Sequence, residues 1–135
     1  MQDFPIEKVV YSKSILSGNA GDVSIEIFLS RFELESDGYT ESVQTSIRLE
    51  GINIPNNPDE LEGRKYVFPV NPTDGYIDGS IYFFSAHNPV DVTSIKFGMK
   101  SPNSLSMVLS THWLLEHENT GFKNVNVKVR TEIEF

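Results

Sequence analysis

The sequence predicts an all-β fold: an antiparallel β-sandwich or open barrel of about eight strands with one short helical turn. Three observations carry that expectation. Apolar residues recur with period 2 through most of the chain, Gly, Pro, Asn and Asp pairs punctuate it at hairpin spacing, and only one stretch carries helix-start signals. A chain of 135 residues with 39% hydrophobic and 22% charged residues is expected to form a single β domain over 1–135.

Val23, Ile25, Ile27 and Leu29 share one face of a run, and Val43, Thr45, Ile47 and Leu49 share one face of the next. Leu105, Met107, Leu109, Thr111, Trp113 and Leu115 repeat the pattern, which places Trp113 in the core. At the end of the chain Val125, Val127, Val129, Thr131, Ile133 and Phe135 alternate with Asn126, Lys128, Arg130, Glu132 and Glu134. One apolar face and one charged face mark antiparallel strands with a wet side.

Weaker strands are expected at Ile6–Leu16, where Ser12 and Ser14 interrupt the apolar residues, and at Lys65–Val70. Others are Tyr76–Ala86, whose Ile81-Tyr82-Phe83-Phe84 is apolar on both faces and reads as central, and Val90–Met99. Turns are expected at Ser17–Asp22, Asp37-Gly38, Asp74-Gly75, Asp78-Gly79, Asn88-Pro89, Ser101–Asn103 and Asn119–Gly121. Neighbouring strands usually pair, so a meander is the simplest order. The helical turn lies within Asn57–Gly63: Asn57 at the N-cap, Pro58 at the first helical position, acids in the first turn and Gly63 past the end.

Several chemistries lack their residues. With no cysteine, disulfides, zinc thiolates and a cysteine nucleophile are ruled out. No Gly-x-Ser-x-Gly elbow, His-Glu-x-x-His pair, calcium loop or phosphate-binding glycine loop occurs. His112 and His117 are five residues apart, on opposite faces of a strand, and His87 stands alone at a turn. Neither a catalytic group, a metal nor another cofactor is therefore expected. The N-terminal residues lack a basic stretch followed by an apolar run, and no apolar stretch approaches membrane-spanning length, so the expected compartment is the cytosol. A net charge of −8 disfavours nucleic acid as a partner.

The charge is unevenly placed. Residues 33–62 contain Glu33, Glu35, Asp37, Glu41, Glu50, Asp59, Glu60 and Glu62 against the single base Arg48, a balance of −7 out of −8. Such a segment either keeps the protein soluble or forms a landing surface for a basic protein. In the second reading Glu33, Glu35, Asp37, Glu41, Asp59, Glu60 and Glu62 supply the field and Tyr39 the packed anchor. The expected function is then non-enzymatic binding of a basic protein, most concretely by a bacterial immunity protein that neutralises a basic toxin such as a nuclease. The alternatives are a small-molecule or carbohydrate-binding β-sandwich using Tyr39, Tyr66, Tyr76 and Tyr82, and an enzyme using His87.

Overall fold

The alternating runs close on themselves. A computed structural model describes all residues, 1–135. Its strands are β1 (Tyr11–Asn19), β2 (Asp22–Leu29), β3 (Phe32–Ser36), β4 (Tyr39–Val43), β5 (Ser46–Ile52), β6 (Lys65–Val67), β7 (Asp78–Phe83), β8 (Ala86–Lys100), β9 (Ser104–Trp113) and β10 (Val125–Glu134). Helix α1 (Pro58–Leu61) and a 3-10 turn at Ile6–Lys8 complete the set. Seven strands pair in the cyclic order β1-β2-β5-β7-β8-β9-β10 and back to β1, a closed barrel. β3 and β4 form a separate two-stranded hairpin, and β6 pairs with β8 beyond the stretch that β7 covers.

The all-β expectation holds, and closure replaces the sandwich or open barrel. The wall is a meander, as expected, with two excursions. An up-and-down meander of seven strands brings the last strand back parallel to the first. Accordingly β1 pairs with β10 in parallel while every other pair in the wall is antiparallel. At this seam the inward residue of β1 is Ser14, fully buried, and its hydroxyl lies 2.9 Å from that of Thr131. Pairing the two hydroxyls removes the desolvation cost that either would carry alone.

The inward faces of β2, β9 and β10 are those read from the alternation, apart from the half-buried Val125 and Thr131 and the exposed Phe135 at the end of the last run. Local expectations are corrected at several points, the first being the strand expected over Ile6–Leu16, of which Ile6–Lys8 is a 3-10 turn and only Tyr11–Leu16 is strand. The run Val43–Leu49 belongs to two strands, because the chain leaves the hairpin at Gln44-Thr45 and enters the wall at Ser46. Asp78-Gly79 lies inside β7 rather than in a turn: a Cβ on Gly79 would come within 2.3 Å of the Val90 carbonyl oxygen, so glycine serves a close backbone approach. Asn88-Pro89 also lies inside a strand, and the reversal between β7 and β8 falls at Phe84-Ser85. The helical turn forms as expected, with the Asn57 side chain accepting from the Asp59 amide at 3.0 Å.

Each excursion seals part of the barrel. The β3–β4 hairpin buries Phe32, Leu34 and Val43 over one end, together with Phe4, Leu115 and Phe122. Phe4 is the centre of this plug, with ring centroids 5.3 Å from Phe122, 5.6 Å from Phe83 and Trp113, and 6.4 Å from Phe32. Residues 53–77 close the other end and fill the wall where β7 stops, burying Ile54, Leu61, Phe68 and Ile77. These groups and the barrel interior form one apolar cluster of 30 residues. No helix is long and apolar enough to cross a membrane.

Trp113 is fully buried, and its indole N–H donates to the Thr111 hydroxyl at 3.0 Å. Trp113→Ala should cost about 3–5 kcal/mol, read from chemical denaturation of both proteins. A loss under about 1 kcal/mol would contradict a Trp113 packed in the core. Burial also pushes the Tyr11 hydroxyl up from 10.0 to about 12. The folded chain therefore holds this proton more tightly than the unfolded chain, so the stabilisation is present below pH 10 and lost as pH rises towards 12. Urea denaturation at pH 9 and above pH 11 should show a smaller loss for Tyr11→Phe than for the parent protein.

Candidate partner-binding site

The chain has four non-glycine residues with left-handed backbone: Asp37 (φ 50°), Phe84 (φ 51°), Ser85 (φ 56°) and Asn119 (φ 54°). All four line one cleft of about 420 Å³ at the Phe4 end of the barrel, with Ser36, Tyr39, Glu118 and Thr120. Three segments build it: the tip of the β3–β4 hairpin, the β7–β8 turn and the loop that follows β9.

Two of these segments reverse through the same backbone shape with very different residues. Asp37-Gly38, with φ of 50° and 79°, has the composition such two-residue hairpin turns prefer. Phe84-Ser85 adopts φ of 51° and 56° with neither glycine nor asparagine, and a bulky side chain at positive φ costs of order 1–3 kcal/mol. Surrounding contacts offset that strain. The Phe84 amide donates to Glu41 Oε2 at 2.9 Å, and the Asn88 amide donates to the carbonyls of Ile81 (3.1 Å) and Ala86 (3.3 Å) beneath the turn. The Phe84 ring stacks on Phe122 at 6.1 Å and meets Phe83 and Tyr39 edge-on at 5.6 and 5.3 Å.

The third wall is clamped as well. The Glu116 amide donates to Asn124 Oδ1 and the Asn124 amide to Glu116 Oε2, each at 2.9 Å, while the Thr120 hydroxyl donates to the Leu115 carbonyl at 3.0 Å. Gly121 fits under the hairpin only because it lacks a Cβ, which would stand 2.4 Å from Ser36 Oγ. On its outer side the hairpin is tied to the N-terminal segment, where Gln2 Nε2 donates to the Glu35 carbonyl and Lys8 Nζ to that of Glu33.

The expected contact residues fall into two separated groups. Glu33 and Glu35 are exposed on the outer face of the hairpin, with Asp37 at its turn. Tyr39 and Glu41 are on the other face: register places Tyr39 opposite Ser36 and Glu41 opposite Leu34. Tyr39 is 59% exposed and forms the cleft wall with Phe84, whereas the Glu41 carboxylate is engaged with the Phe84 amide. Asp59 and Glu60 sit on α1 and Glu62 caps its end, where the helix packs at the far end of β8. There Glu62 Oε2 accepts from the Lys100 amide at 2.6 Å and Asp59 pairs with Lys100 Nζ at 3.4 Å. The acidic segment thus runs from one end of the barrel to the other along β5. Phe84, Ser85, Glu118, Asn119, Ser36 and Thr120 belong to the cleft and were not candidates from sequence; the apolar pair Phe83-Phe84 ahead of a serine was the only local trace of this turn.

The tyrosines of the carbohydrate reading pack separately: Tyr39 on Phe84, Tyr66 on Phe97 at 6.1 Å and Tyr82 on His87 at 4.9 Å, while Tyr76 lies near the opposite end. His87 shares a groove with Asp78 and Asp91, but its ring rests against Tyr82. His112 is bonded through Nδ1 to Asn126 Oδ1 on the outer wall, and His117 is exposed in the loop after β9.

The Glu41 contact can be measured. Glu41→Ala leaves a partly buried amide without an acceptor and should destabilise by about 1–3 kcal/mol, whereas Glu41→Gln keeps an acceptor and should lose less. Thermal or urea unfolding of the two variants checks the difference; equal losses would mean that the hydrogen bond does not hold the turn.

Comparison with protein-family models, with curated proteins and with solved structures finds no match for this chain.

Proposed function

We propose that the chain is a non-enzymatic binding domain that docks a basic protein at the Phe4 end of its barrel, most concretely as a bacterial immunity protein blocking a cationic toxin such as a nuclease. The observation that carries this reading is the cleft itself. It joins an exposed aromatic wall, Tyr39 on Phe84, to the carboxylates of Asp37 and Glu118, and no basic residue lines it. Glu33 and Glu35 extend the negative surface over the hairpin beside it. A nuclease presents a cationic groove for phosphate, and a rigid acidic surface competes for those same charges.

The physical division of labour follows from the geometry. Exposed carboxylates act at long range and raise the encounter rate, an effect screened beyond about 8–10 Å at physiological salt. Tyr39 contributes once the surfaces meet, because an aromatic ring buries a large area at low entropic cost. Side chains fill the barrel interior, including Trp113, Phe83 and Phe97, and this favours recognition at the surface over a ligand held in the lumen.

The reading is tested by charge reversal at one end against the other. The immobilised protein is used to capture partners from lysate of its source organism, and binding kinetics are then measured at two salt concentrations. Glu35→Lys with Glu118→Lys should slow association several-fold, more at low salt. Glu60→Lys with Asp74→Lys makes the same change in net charge away from the cleft and should leave association near the parent rate. Tyr39→Ala should mainly speed dissociation. Equal behaviour of the two charge-reversed pairs would reduce the acidic surface to a determinant of solubility.

A further inference from the structure

We infer that the cleft between the hairpin tip, the β7–β8 turn and the 118–120 loop is a receptor for one arginine side chain of the basic partner. The inference rests on the reading above and assigns the chemistry of its central contact. Three features of the cleft each match part of a guanidinium, and a fourth lowers the cost of binding it. Asp37 and Glu118 supply negative charge, and neither carboxylate enters an ion pair: the three in the chain are Arg48–Glu26, Lys100–Asp59 and Lys123–Asp3. Tyr39 and Phe84, edge to face at 5.3 Å, offer aromatic surface on which a planar cation stacks. Ser36, 8% exposed, lines the cleft; its hydroxyl lies against Gly121 and makes no hydrogen bond within the protein, so it is free to accept an N–H donor. The walls are fixed beforehand by the Glu41 and Asn88 hydrogen bonds and by the reciprocal Glu116–Asn124 clamp, which lowers the ordering cost of binding.

A lysine would satisfy the charge but not the rest. Its ammonium is a compact, strongly hydrated point charge, whereas the guanidinium carries five donors in a plane and sheds water more readily. The opposite end of the barrel provides an internal comparison. Asp22, Glu50 and Asp78 line a wider groove of about 650 Å³ there, and Glu50 faces Asp78 directly across the strands. That groove has more carboxylates but only Tyr76 as an aromatic, and charge alone would draw a cation to it first.

The probes are N-acetyl-arginine amide and N-acetyl-lysine amide, titrated into the ¹⁵N-labelled full chain at low salt. The arginine probe should shift amides of residues 36–39, 84–85 and 118–120 in a saturable way, and bind at least about threefold more tightly than the lysine probe. Asp37→Asn with Glu118→Gln should weaken arginine binding by about tenfold or more, corresponding to loss of both charge-assisted contacts. Ser36→Ala should weaken it by a smaller factor. Asparagine is tolerated at left-handed φ, so the first variant keeps its turn, and Glu118→Gln alone serves if the double variant does not fold. The inference is overturned by equal responses to the two probes, by shifts centred on Asp22, Glu50 and Asp78, or by unchanged binding in the Asp37/Glu118 variant. If it falls while Glu35→Lys with Glu118→Lys still slows the captured partner, the partner docks at this end without an arginine anchor. If both effects are missing, the proposed function falls too.

Discussion

Seven strands in up-and-down order can close only by laying the last strand parallel to the first, and the rest of this molecule is arranged around that seam. β1 and β10 meet there through a register of Ser14 with Ile133, and their inward hydroxyls, Ser14 and Thr131, satisfy one another. Closure removes the two edges that an open sheet of the same strands would present. It also fixes which connections stand at which end. The excursion between β2 and β5 must leave and re-enter at the Phe4 end, and the one between β5 and β7 at the other. Each carries enough apolar side chains to plug what it covers, so barrel and plugs share a single core.

The plug at the Phe4 end explains why a strained turn persists. Phe84 sits at the meeting point of the hairpin, the β7–β8 reversal and the loop after β9, with its ring among Tyr39, Phe83 and Phe122. An Asn-Gly turn would relieve the backbone but remove the ring that joins the three segments. Positive φ at Phe84 is therefore the local cost of a packed junction, and the Glu41 and Asn88 hydrogen bonds keep the turn in place. Within that junction one polar atom is fully enclosed without a partner, Asn88 Oδ1; the same amide spends both of its donors on the carbonyls of the turn. The accounting favours the turn over the side chain that supports it.

Strand faces were legible wherever burial alone decided them. Val23 to Leu29, Leu105 to Trp113 and Val127 to Ile133 alternate because one face meets the core and the other meets water. Closure was not legible, because the strand that completes it has a serine inside and the 41%-exposed Ile15 outside, the reverse of the usual signal. Turn chemistry misled at Asn88-Pro89: Pro89 lies within β8, where its carbonyl accepts from the Leu114 amide at 2.9 Å. It was silent at Phe84-Ser85, where tertiary packing overrides propensity. For the candidate site, Asp37, Gly38 and Tyr39 could be read at a hairpin tip from local residues. The facing walls could not, since Glu118 and Phe84 come to Asp37 only through the barrel's closure and the loop clamped by Glu116 and Asn124.

Closure also bears on how a partner can be recognised at all. A protein with an open sheet edge can bind an extended segment through main-chain hydrogen bonds, and sequence selectivity is then secondary. Here the wall strands pair on both sides, and at the hairpin the Glu33 and Glu35 carbonyls are already taken by Lys8 and Gln2. Strand addition is thus obstructed along the β3 edge of the hairpin. A partner docking there would be held by side chains standing on a rigid rim, and such contacts discriminate by shape and charge placement rather than by backbone complementarity. Two acidic ends at similar distance from a cationic partner would compete in attracting it, yet only one of them combines charge with a packed aromatic wall and an unengaged hydroxyl. Long-range attraction would bring the partner to either end; short-range contacts would decide where it stays.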